Sequence, residues 1–199
     1  MREVVLFTED LAHDAFLKPL ISRLASIHAI PVAIQPRSTR GGHSMVIRAL
    51  RRYLRELRTG QSSPPDLLVI ATDANCRTHQ GRRREIEAET EDFRDSVVCA
   101  IPDPHIERWL LLDSAAFKAV LGKGCSPPDR KCERRRYKRV LIEAVRDAGV
   151  TPLLGGIEHA EEIIQAMDLH RMEQADESLG KLLRDLNARF REWTQLRSV

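Results

Sequence analysis

The first hundred residues alternate between short apolar runs and longer amphipathic segments, and this alternation constrains the fold more than any other feature. Uninterrupted apolar runs of this length predict strands that are covered on both faces. The order β-α-β-α-β-α-β predicts an α/β fold, in which right-handed crossovers join a four-stranded parallel sheet flanked by helices. The predicted strands are Glu3–Thr8, Pro31–Ile34, Asp66–Ala71 and Ser96–Ile101.

Beyond Pro104 the apolar spacing is wholly helical. A long stripe of leucines and aromatic residues ends the chain, from Leu179 to Trp193. No linker long enough to separate two domains interrupts the sequence. We therefore predict an α/β core over residues 1–115 and a helical C-terminal extension, residues 116–199, packed on that core.

Composition and charge narrow the functional classes. The 199 residues include 42% hydrophobic residues, and 32 Lys+Arg against 29 Asp+Glu give a net charge of +3. No stretch reaches the roughly 18 apolar residues of a membrane span, and acids at Glu9 and Asp10 are unlike a signal peptide. These features predict a cytoplasmic protein without membrane association.

Four thinly spread cysteines then predict free thiols. A zinc site of Cys76, His79, Cys125 and Cys132 has no supporting Cys-x-x-Cys pair.

One segment is far more basic than the whole. Residues 130–139 hold seven Lys/Arg and one acid, which makes this segment a candidate anion-binding strip. The alternative is a solvated helix face, the commoner origin of a charge run. The low aromatic content of 5% argues against a protein that binds single strands by base stacking.

Polar side chains follow three of the predicted strands where each strand ends. They are Glu9 and Asp10 after the first strand, Asp73 and Asn75 after the third, and Asp103 with Glu107 after the fourth. The carboxyl ends of parallel strands meet at one edge of a sheet, and oxygen ligands suit Mg²⁺. The alternative is that each acid only caps the helix that follows it.

Residues 41–44, Gly-Gly-His-Ser, precede the second predicted helix. Such a segment could offer backbone N–H groups to a phosphate, or it could be only a turn.

Several segments together resemble a known superfamily. After Glu9 a helix begins with His13-Asp14-Ala15-Phe16-Leu17, and a buried strand ends at Asp73-Ala74-Asn75. Residues 102–113 then read PDPHIERWLLLD, and residues 132–138 read CERRRYK. In this order, over about residues 4 to 140, they resemble the TOPRIM superfamily of topoisomerases, primases and overcoming-lysogenization-defect nucleases, in particular its small stand-alone RloB-like members.

The resemblance implies a TOPRIM-like fold and a site. Glu9 would be a metal ligand or general acid/base, and Asp73 the first metal-binding aspartate. The implied catalytic residues are Glu9, Asp73, Glu107 and Lys138, and the implied ligands of Mg²⁺ or Mn²⁺ are Glu9, Asp73, Asn75 and Glu107. Asn75 departs from the pattern because its amide contributes no charge, and Asp10 departs because many relatives have glycine there. The implied nucleic-acid contacts are Arg134, Arg135, Arg136, Lys138 and Arg139.

Two functional hypotheses follow. The first is a metal-dependent nuclease, or a related phosphoryl-transfer protein, that acts on nucleic acid with DNA as the expected substrate. The resemblance also implies a role in prokaryotic anti-phage defence with an ABC-type ATPase partner, and it is compatible with an oligomer. The second is a catalytically weak TOPRIM-like module that binds nucleic acid or a partner protein, which the neutral Asn75 favours.

Overall fold

The computed structural model describes residues 1–75, 77–133 and 135–196. Their strands form a four-stranded sheet in the order β2-β1-β3-β4, and every pairing is parallel. The strands are β1 (Arg2–Thr8), β2 (Val32–Ser38), β3 (Leu67–Ala71) and β4 (Val97–Ala100). The predicted four-stranded parallel sheet flanked by helices is confirmed, and β3, buried along its whole length, occupies an interior position.

The helices follow the predicted order with local differences. They are α1 (Leu11–Ile27), α2 (His43–Arg58), α3 (His79–Glu89), α4 (Ile106–Leu110), α5 (Ser114–Leu121), α6 (Arg136–Asp147), α7 (Ala160–Ala166), α8 (Leu169–Ala175) and α9 (Glu177–Leu196). Helix α3 ends at Glu89, and a 3₁₀ segment, Glu91–Ser96, follows it. Helices α5 and α8 were not predicted. Asp113 and Asp168 cap their N-termini through their side chains.

The two faces of the sheet carry separate hydrophobic clusters. Val4 and Leu6 pack with α1 and the C-terminal helices, whereas Val5 and Phe7 pack with α2 and α3. The chain therefore crosses from β1 to β2 over one face and from β2 to β3 over the other. These two crossovers run in opposite directions across the sheet. Both are right-handed only if they pass over opposite faces. Helix α1 follows β1 on one face and α3 follows β3 on the other, so a crevice forms beyond the carboxyl ends of these two neighbouring strands.

Trp109 of α4 links the sheet-forming part of the chain to its C-terminal helices. Its ring is fully buried and lies 5.3 Å from the Phe16 ring of α1, and its indole Nε1 donates to Ser178 Oγ of α9 at 3.1 Å. The surrounding cluster runs from Val4 to Trp193. Residues on both sides of position 115 thus share one hydrophobic core, and a domain boundary at that position stays a prediction.

Strand β2 forms one edge of the sheet, and it contains Pro36 opposite Leu6 of β1. Proline has no N–H to donate to the backbone hydrogen bonds of a sheet, and it is tolerated within a strand mainly at an edge.

Within the described ranges, no helix is both long and apolar enough to cross a membrane.

The cysteines differ from the prediction. Cys99 and Cys125 are free thiols, but Cys132 is disulfide-bonded. The prediction of thiols is therefore wrong at Cys132, and this residue cannot serve the zinc set. Cys76, also named in that set, lies outside the described residues.

Replacement of Trp109 by alanine should lower the free energy of unfolding by roughly 3–5 kcal/mol, because it leaves a large cavity where three helices meet. Urea denaturation checks this, with Ile27→Ala as the control. Ile27 is 64% exposed on α1, so its truncation should change stability by no more than about 0.5 kcal/mol. Equal effects of the two changes would show that Trp109 does not join the two parts of the chain.

Candidate functional site

Glu9 and Asp73 meet in the crevice at the carboxyl ends of β1 and β3. Glu9 Oε2 accepts a hydrogen bond from the Thr72 hydroxyl at 2.6 Å and another from the Asp73 backbone N–H at 3.1 Å. Both donors belong to the residues directly after β3. The Glu9 carboxylate, which follows β1, is therefore held at the carboxyl end of the neighbouring strand β3, as the positions of these residues in the sequence predict.

The Asp73 carboxylate is held by the segment that follows β4. Asp73 Oδ1 accepts from the backbone N–H of Ile106, the first residue of α4, at 3.0 Å, and Asp73 Oδ2 lies 2.8 Å from His105 Nδ1. Its side chain is only 12% exposed. Two contacts from a different loop thus fix both carboxylate oxygens of Asp73, and Thr78 is the residue that caps the following helix, α3.

His13 of α1 is completely buried between two carboxylates. Its Nδ1 lies 2.8 Å from Asp10 Oδ1, and its Nε2 lies 3.3 Å from Asp73 Oδ1 without a hydrogen-bonding geometry. Asp10 is the N-cap of α1 and also accepts from the backbone N–H groups of Ala12 and His13. The extra carboxylate at position 10 therefore both caps the helix and holds His13 in place.

The charges of these groups depend on one another. Burial opposes the charge on His13, but the attraction of Asp73 and the hydrogen bond to Asp10 outweigh it and raise the pKa of His13 to about 10. Burial likewise opposes the charge on Asp73, yet His13 and His105 hold the pKa of this carboxyl below its ordinary value. The pKa of His105 is raised, because its hydrogen bond with Asp73 outweighs burial.

Glu9, His13 and Asp73 each offer one ligand atom, and these atoms lie within 4.8 Å of one another. Metal–ligand bonds of about 2.1 Å place three ligand atoms of one cation roughly 3–4 Å apart, so these side chains would have to move about 1 Å closer together. The buried His13 Nε2 has no hydrogen-bond partner among the described residues. The three residues therefore fit a divalent cation. An imidazole nitrogen beside two carboxylates suits Mn²⁺ better than Mg²⁺.

Asn75 and Glu107 lie outside this three-residue cluster. Asn75 adopts a left-handed conformation with φ of 53°, donates from Nδ2 to the Asp73 carbonyl at 3.4 Å and lines the same cleft as Glu9. Glu107 instead lines a second cleft of about 520 Å³ together with Asp10 and Lys138. Burial and the nearby Asp73 raise the pKa of Glu107. The structure thus brings Glu107 and Lys138 to one cleft, which shares no lining residue with the cleft beside Glu9.

The basic strip is only partly available for anions. Arg136 forms ion pairs with Asp129 and Glu133. Arg135, Lys138 and Arg139 are exposed, and Arg134 lies outside the described residues.

Sequence reasoning missed the histidines of this site. His13 follows Asp10 by three residues in a helix, and His105 directly precedes the helix that carries Glu107. The spacing of His13 from Asp10 is the one available signal, because residues three apart on a helix face each other. Contact of either histidine with Asp73 depends on the tertiary fold.

Comparisons with known proteins identify the family but not its activity. Residues 8–187 match the family described as "Domain of unknown function (DUF4276)", and the chain belongs to this family. No curated protein matches the sequence.

A solved structure, the low molecular weight protein tyrosine phosphatase from Bacillus subtilis in solution, is similar at 13% sequence identity, over 88% of this chain and 99% of that chain. Its TM-score of 0.29 is too low to carry an argument about fold or function.

The stability of the metal-free protein should fall between about pH 6.5 and 10. The folded protein keeps a proton on His13 up to a pKa of about 10, whereas the unfolded chain loses it near 6.5. Stability is therefore complete below the lower value and declines by up to about 1.4 kcal/mol per pH unit above it. The raised pKa of His105 acts in the same direction.

Urea denaturation in EDTA at pH 6 and pH 9 measures this decline. His13→Asn should remove most of the difference between the two pH values, whereas His170→Asn, a change at an exposed histidine of α8, should keep it. A wild-type protein that is equally stable at both pH values would contradict a charged His13.

Proposed function

We propose that this protein is a metal-dependent nuclease of TOPRIM type that hydrolyses phosphodiester bonds in nucleic acid, with DNA as the substrate. The observation that carries the proposal is the cluster of Glu9, His13 and Asp73 at the strand ends, whose ligand atoms lie within 4.8 Å of one another. Open α/β sheets bind their ligands at this place, where neighbouring crossovers diverge. The order of Glu9 and Asp73 along the chain also agrees with the resemblance to TOPRIM proteins.

The chain's own residues have separable roles in this proposal. Glu9, His13 and Asp73 hold the cation, Mn²⁺ or Mg²⁺. When bound, such an ion polarises a phosphate oxygen and lowers the pKa of a water molecule. Thr72 orients Glu9, while His105 and the Ile106 N–H orient Asp73. Contacts of this kind fix ligand geometry and raise metal affinity.

Glu107 and Lys138, which line the second cleft, also have roles in the proposed reaction. The raised pKa of Glu107 makes this carboxyl a better proton donor near neutral pH than an exposed glutamate. Lys138 lines the same cleft and could neutralise phosphate charge. Both would act on a strand that extends past Asp10 into this cleft.

Mn²⁺ should support cleavage of plasmid or single-stranded DNA, and Glu9→Gln or Asp73→Asn should reduce the rate more than about a hundredfold. Loss of a group that merely orients a metal ligand already costs 10- to 100-fold. The measurement is gel-based cleavage with Mn²⁺, Mg²⁺ or EDTA.

The matched controls are Glu91→Gln and Asp95→Asn, which make the same chemical changes at exposed positions near the end of α3. Thermal unfolding of every variant checks that the fold is intact. Cleavage that survives EDTA, or that is equally fast in Asp73→Asn and Asp95→Asn, would refute the nuclease proposal.

A second candidate is a catalytically weak TOPRIM-like module that binds nucleic acid or a partner protein. The specific observation that favours it is the charge on His13, which already offsets part of the negative charge of Asp10 and Asp73 without a metal ion. The neutral Asn75 further reduces the negative charge available for a cation.

The module predicts binding that ignores metal ions and weakens steeply with salt. Fluorescence anisotropy with labelled DNA, across a salt series in EDTA, should show that Arg135→Ala and Arg139→Ala each reduce the log–log salt slope by about 1. Arg191→Ala, at an exposed position of α9, serves as the control. Binding that requires Mn²⁺ would count against the module.

The cellular setting is also a proposal. The resemblance to RloB-like proteins supports a cytoplasmic location, an ABC-type ATPase partner and a role in anti-phage defence. Co-purification of the tagged protein with a neighbouring ATPase would test the partnership.

A further inference from the structure

A cleft of about 620 Å³ is lined by Glu9 and shares no lining residue with the cleft that contains Glu107. The residues that line it come from the N-terminus of α2, from the loop after β3 and from α3. They include Gly41, Gly42, His43, Ser44, Arg77, Arg82 and Glu85. A volume of this size accommodates a group as large as a nucleotide.

The N-terminus of α2 faces this cleft without a capping side chain. Gly42 is the N-cap residue at φ of 76°, and neither a side-chain cap nor an acid in the first turn is present at this helix end. The backbone N–H groups of His43 and Ser44 precede the first hydrogen bonds within the helix, so they are available to an anion. A β-carbon at Gly42 would lie 3.6 Å from Glu9 Oε1, which places this helix end against the proposed cation site.

Two arginines add positive charge to the same cleft. Arg82 is only 9% exposed, and its Nε has no hydrogen-bond partner among the described residues. Arg82 and Arg77 both pair with the single carboxylate of Glu85, and Glu9 is the other carboxylate that lines the cleft. Burial lowers the pKa of His43, and Arg82 and Arg77 act in the same direction while Glu85 opposes them.

We propose that this cleft binds a phosphate group of a nucleic acid strand, between the α2 N-terminus and Arg77 with Arg82. The choice of nucleic acid as the source rests on the proposed function. The buried Arg82, the exposed Arg77 and the uncapped helix end supply donors and charge of the sign that a phosphate needs. A phosphate in this cleft would lie next to Glu9, so the cleft positions the strand relative to the cation site.

Isothermal titration of the metal-free protein with inorganic phosphate in EDTA tests the site directly. Ser44→Asp places a carboxylate in the first turn of α2, which stabilises a helix but repels an anion from the cleft. We expect this variant to bind phosphate about tenfold more weakly, with thermal stability equal to or above that of the wild type. Arg77→Ala, at a side chain that is 63% exposed, should also weaken binding about tenfold.

Matched controls separate this site from general charge effects. Ser44→Asn keeps the size of the aspartate variant without its charge, and Arg84→Ala removes a charge from an exposed position of the same helix as Arg82. Both should bind like the wild type. No saturable phosphate binding, or equal binding in Ser44→Asp and Ser44→Asn, would overturn the proposal.

The source of the phosphate is distinguished with two oligonucleotides that differ only in a 5′-phosphate. Preference for the phosphorylated strand supports a terminal phosphate, and equal binding that Ser44→Asp weakens supports an internal phosphodiester. Binding of inorganic phosphate but of neither strand would overturn nucleic acid as the source. Asp73→Asn should keep phosphate binding, so the nuclease proposal and the phosphate site can fail separately.

Discussion

The parallel pairing of β1 with β3, with their following helices on opposite faces, is the constraint on which the site depends. It opens a crevice at the strand ends, and it places the residues after β1 beside those after β3. The bond from the Asp73 N–H to Glu9 Oε2 is a direct result of that adjacency. A shift in this pairing by one residue would turn the alternate side chains of β1 to the wrong face, so the hydrophobic core and the site require the same register.

Charge compensation explains how so many acids can lie close together in a mostly buried region. Asp73 is contacted by two imidazoles, and one of them, His13, also contacts Asp10. Buried carboxylates without such partners would lose their charge. The same arrangement is compatible with two states, in which either a proton or a metal ion neutralises the carboxylates. This is why the nuclease and module hypotheses both start from the same few residues.

Much of the fold and part of the site could be predicted from the sequence, for physical reasons. The strands were predictable because apolar runs such as Leu67–Ala71 have few alternatives to a buried strand. Glu9 and Asp73 were predictable because strand order converts their sequence positions into proximity. The roles of His13 and His105 were not, since their contacts with Asp73 depend on how α1 and α4 pack. Glu107 illustrates the same point, because only the packing of α4 decides which cleft it lines.

The proline in the outer strand has a consequence for how copies of this protein meet. An incoming strand that tried to extend the sheet alongside β2 would lack a hydrogen-bond donor at Pro36. Strand-to-strand aggregation through this border is therefore disfavoured. At this side of the molecule, self-association would have to use side-chain surfaces instead of backbone pairing.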